Sequence, residues 1–189
     1  MRPLIVYIPG LLPKPEPAIH REALARCLLA GVRRADPAVA DAIAAADAFD
    51  IVSWTYDFYG THRDFELDRA AVDAVIEQLE ASEKDIAEAN SWLRRLTRWL
   101  YRLGDRVPFL IPHIANEKAA VHLRDLQRYL QDDNGIATHA RRMLKMRLRA
   151  ADEAGQPVLL IAHSMGSVIA YDSLWEMSHS SRDHLRLDM

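Results

Sequence analysis

The sequence predicts an α/β fold built on a short parallel sheet flanked by helices. Three short runs carry that prediction: LIVYI over 4–8, FDIVSWT over 49–55 and PVLLIA over 157–162. Each meets a turn signal, at Pro9-Gly10, near Tyr59-Gly60 and at His163-Ser164 respectively. The first and third runs are almost wholly apolar, as strands covered on both faces must be. Helical periodicity fills the intervals, and strands alternating with helices form parallel sheets through right-handed crossovers.

The helices follow in order. Ile19, Leu24, Cys27, Leu28 and Val32 recur at helical spacing, predicting a helix over 18–35. Asp36-Pro37 then places a side-chain cap before a proline at the first helical position. Val72, Val75, Ile76 and Leu79 mark one face of another helix, and Ser82 with Asp85 is a capping pattern that opens a long helix ending at Gly104. Two further helices are expected over 117–132 and 137–154, separated by Asn134-Gly135 and closed by Gly155.

A chain of 189 residues, half of them hydrophobic, suits a single domain over 1–189 with a real core. The net charge of -3 comes from interspersed acids and bases, which argues against a nucleic-acid partner. With one cysteine, Cys27, there is neither a disulfide framework nor a multi-cysteine metal site, and its apolar helical setting reads as a structural thiol. The apolar start is cut off by Pro9-Gly10, too early for a signal peptide, and no run approaches the roughly 20 apolar residues of a spanning helix. The expectation is a soluble, cytoplasmic protein.

Chemistry points to Ala162-His163-Ser164-Met165-Gly166-Ser167. An apolar strand precedes this segment and a helical run from Val168 to Met177 follows it, which is the strand–turn–helix context of a nucleophile elbow. A serine on so tight a turn needs small neighbours, and Ala162, Gly166 and Ser167 supply them. The helix start behind Ser164 offers free N–H groups and a favourable dipole to an oxyanion.

The segment resembles the elbow of the α/β-hydrolase superfamily, in its lipase and esterase branch. In that family the first elbow position is usually glycine, where this chain has Ala162. The resemblance implies that the Ile8-Pro9-Gly10-Leu11-Leu12 bend is the oxyanion loop, with proline where a histidine often stands. The backbone N–H of Leu11, or alternatively Leu12, would then pair with that of Met165 to hold the oxyanion. It also implies a sheet with the first strand between the other two, and an acid and then a histidine after Ser164. Few residues follow the serine helix, and His179, Asp183 and His184 fall at its far end. His62, near Asp57, follows the second strand on the correct edge and is an alternative base. The expectation is therefore the N-terminal half of an α/β-hydrolase fold, truncated after the elbow helix and lacking its acid and base. The serine strand would form an open, apolar edge able to pair with a partner.

Between the second and third strands lie roughly a hundred residues, more than a crossover requires, so about 62–135 is expected to form a helical cap or lid. Within it, Trp92, Leu93, Leu96, Trp99, Leu100 and Leu103 form a stripe opposite Arg94, Arg95, Arg98 and Arg102. That pattern suits either a cap helix or a peripheral helix on lipid. The leading reading is a serine hydrolase of an ester or related acyl bond, with Ser164 as nucleophile and no metal or cofactor. A small-molecule or lipid-like ester is its expected substrate. The alternatives are acyl transfer to another acceptor and a non-catalytic binding module or inactive fragment.

Overall fold

The computed structural model describes residues 3–78, 80–91 and 117–179. Strands β1 (Leu4–Ile8), β2 (Phe49–Ile51) and β3 (Val158–Ala162) form one parallel sheet in the order β2-β1-β3. β1 is central, the order that the resemblance implies. Its alternation splits the core into two layers. Val6 and Ile8 point into one cluster, while Ile5 packs with Phe49 and Ile51 in the other.

Helices α1 (Pro17–Ala35) and α2 (Pro37–Ala45) cover the second face, through Leu24, Leu28 and Ile43. Asp36 caps α2 by accepting from the N–H groups of Ala38 and Val39, and Pro37 opens the helix without wasting a donor. The first face is covered by α3 (Thr55–Tyr59), α6 (Glu117–Leu130), α7 (Ile136–Glu153) and α8 (Met165–His179). Between α3 and α6 lie α4 (Glu66–Glu77) and α5 (Glu83–Ala89). A 3-10 turn, Asp133–Gly135, separates α6 from α7.

Two expectations need correction. The second strand stops at Ile51 and does not reach Thr55. Val52 still donates to the Tyr7 carbonyl, but the Trp54 indole then turns inward to bond the Pro9 carbonyl at 2.9 Å, and the chain coils into α3. Burying that large ring outweighs the strand preference of its neighbours. The helix opened by the Ser82–Asp85 capping box is also short: α5 ends at Ala89. The Trp92, Trp99 and Leu103 stripe of the expected lid lies outside the described residues, as does Leu79.

Elsewhere the turn residues act as read. Asn134, Gly135 and Gly155 all take positive φ. β3 pairs only with β1 among the described residues, and Leu159 on it is 55% exposed. No described helix is long and apolar enough to cross a membrane.

Candidate active site

β3 ends at Ala162 and α8 begins at Met165, so the chain must reverse within two residues. Ser164 takes the turn with a φ of 53°, in the left-handed region where side chains crowd the backbone. Such strain persists only where surrounding structure over-determines it, and it concentrates at functional sites. Here the restraints are explicit. His163 donates to the Ile8 carbonyl at 3.1 Å, continuing the pairing with β1. Gly166 donates to His163 at 2.9 Å and Ser167 to Ser164 at 2.8 Å.

Two glycines let the turn close against β1. A Cβ on Gly166 would collide with the Ile8 carbonyl oxygen and lie 2.8 Å from that of Pro9. A Cβ on Gly10 would lie 2.8 Å from the Ser164 Cβ and 3.0 Å from His163 Nδ1. The Pro9-Gly10 bend and the serine are therefore in contact, and Ser164 itself is exposed.

The neighbouring loop is held at several points. Pro9 receives the Trp54 indole N–H. Leu12 also takes a positive φ, at 76°. Its N–H donates to the Tyr59 hydroxyl at 3.0 Å, and that hydroxyl donates to Asp125 at 2.8 Å. The Leu11 carbonyl accepts from Lys14 Nζ at 2.7 Å. Both ends of the Leu11–Leu12 peptide are thus bonded, which removes the Leu12 N–H as an oxyanion donor. The N–H groups of Leu11 and Met165 have no acceptor among the described residues.

Burial, with the Asp125 hydrogen bond and charge adding to it, pushes the Tyr59 hydroxyl up to about 12, so it remains a neutral donor. Asp125 itself is buried. Neither Tyr59 nor Asp125 was singled out from sequence, and 66 positions separate them.

Comparison with protein-family models, curated proteins and solved structures finds no match.

Among the described residues no histidine or carboxylate bonds the Ser164 hydroxyl. His62 stacks on Tyr56 with ring centres 4.4 Å apart. Asp57 bonds a different histidine, His139 at the start of α7, at 3.2 Å. Arg142 donates to His139 Nδ1 at 2.8 Å, which leaves Nε2 as the protonated nitrogen facing Asp57. That pair lines a hollow of about 430 Å³ together with Asn134, Thr138 and Arg142, and Ser164 is not part of its wall. His179 lies at the far end of α8, roughly 22 Å along a helix of 15 residues. Asp183 and His184 lie outside the described residues.

Proposed function

We propose that Ser164 is the nucleophile of an acyl-transfer site, with the N–H groups of Leu11 and Met165 as its oxyanion donors. The observation that carries this is the left-handed Ser164, exposed at the start of α8 and in contact with Gly10. A structural serine at a helix start would not need a strained backbone, since ordinary caps use extended geometry. In the proposed step, Ser164 Oγ bonds to the carbonyl carbon and gives its proton to a base, while the carbonyl π electrons move onto the oxygen. Collapse expels the alcohol, which takes up a proton, and water then releases the acid. The two backbone donors hold the oxygen during its negative stage, and losing one donor of this kind typically costs about 3 kcal/mol.

The base is assigned to residues outside the described ones, since no described histidine or carboxylate hydrogen-bonds the Ser164 hydroxyl. Fluorophosphonate labelling tests the reading. We expect a single adduct at Ser164 that Ser164→Ala eliminates. A folded sample that takes up no label would rule the nucleophile out.

One observation favours a second reading, a non-catalytic module that keeps the elbow and its cleft. Asp57–His139, the histidine–carboxylate pair nearest in type to a catalytic dyad, has both imidazole nitrogens engaged and opens into a hollow that Ser164 does not line. The labelling experiment separates the two readings.

A further inference from the structure

Between α1 and α4 runs a groove of about 550 Å³, inside the roughly 300–1,000 Å³ range of small-molecule sites. Its walls are mainly apolar, with Leu24 and Cys27 from α1 and Phe65, Val72 and Val75 from the α4 side. α4 carries this apolar stripe yet contributes no buried residue, and Val75 is 68% exposed. Among the described residues that face is only partly covered, with Val72 and Ile76 half-buried against α1.

The polar groups in the groove wall are Lys14, His20, Arg63 and Asp68. Arg63 is neutralised by a two-point bond to Asp68, at 2.6 and 2.7 Å. His20 is buried, and burial together with the nearby Lys14 lowers its pKa to about 4, so it is uncharged near neutral pH. Lys14 is the exception. Its ammonium meets only the Leu11 carbonyl, and no carboxylate pairs with it among the described residues. Partial burial, and then repulsion from Arg63, disfavour its charge. An anion placed there would relieve both effects.

We propose that the α1–α4 groove binds a monocarboxylate with an apolar chain, its head on Lys14 and its tail between α1 and α4. The one cation of the groove wall with no carboxylate among the described residues matches one negative charge, and two ammonium protons remain for the carboxylate after the Leu11 bond. The chain would displace water from a surface that has no polar use for it. This site stands whether or not Ser164 reacts.

Calorimetric titration with decanoate below its micelle concentration tests the proposal, with decanol and inorganic phosphate as controls. Decanoate should bind saturably, and both controls should bind at least about tenfold more weakly. Lys14→Gln should weaken decanoate by about tenfold and leave decanol unchanged. Val72→Trp should abolish decanoate binding by filling the groove, and it spares the core because α4 buries nothing. Absence of saturable binding by the unaltered chain would overturn the proposal. So would decanol or phosphate binding as well as decanoate, or full affinity in a folded Val72→Trp variant.

Discussion

Gly166 and Gly10 have little room for a side chain, for different reasons. At Gly166 the obstacle is the backbone of β1, which cannot move without breaking the sheet. Gly166→Ala should cost about 1–3 kcal/mol, the usual range for forcing atoms into packed structure, read as a lowered urea midpoint. At Gly10 the obstacle is the serine itself, so Gly10→Ala should slow fluorophosphonate labelling more than it lowers stability. Tyr59 acts one bond further out. Tyr59→Phe strips the Leu12 N–H of its acceptor and buried Asp125 of its donor, an expected loss of about 1–3 kcal/mol. Faster hydrogen exchange at the Leu12 amide would accompany it, and unchanged exchange would show that the hydroxyl does not hold the loop.

His20 makes stability depend on pH at the same scale. Its folded pKa, about 4, lies below the ordinary histidine value, so the unfolded chain binds a proton that the folded chain resists. The stability this contributes is complete above about pH 6.5 and disappears as pH falls toward 4. Denaturation midpoints measured across that window should fall less steeply in His20→Gln than in the unaltered chain.

Among the elements, α2 is a short helix held by its cap. Asp36 accepts two N–H bonds, and Asp36→Ala should cost about 1 kcal/mol, measurable by thermal denaturation. That cap was legible because an Asp-Pro step has one common use at a helix start. The Ser82–Asp85 box was legible for the same reason, but the length of the helix it opens was not. Capping sets where a helix begins, while its end depends on what the following residues find to pack against. The early end of β2 has a similar origin. Nothing in the alternation over 49–55 signals that the Trp54 indole has a carbonyl waiting on Pro9.

At the scale of the whole sheet, β3 is an edge strand among the described residues, and its sequence does nothing to discourage pairing. Val158–Ala162 contains no charge, proline or bulge to discourage pairing, and it is bonded on one side only among the described residues. Leu159→Lys places a charge at its exposed position. It should reduce self-association in sedimentation experiments while changing stability by no more than about 0.5 kcal/mol.

Local information determined much of this protein. The alternation of apolar runs and helical stretches, the small residues around Ser164 and the glycine turns each act within a few positions, so the three strands and the tight turn at Ser164 could be read directly, while the order of the strands came only from the family resemblance. Only the tertiary structure decided the partners. It joined Asp57 to His139 across 82 positions, hung Leu12 on Tyr59 and Asp125, and left Lys14 without a carboxylate among the described residues. Those outcomes depend on how α3, α6 and α7 settle over one face of the sheet and how α1 and α4 meet beside it. Side-chain periodicity records which face of an element is buried, and carries no record of which distant polar group will be waiting there.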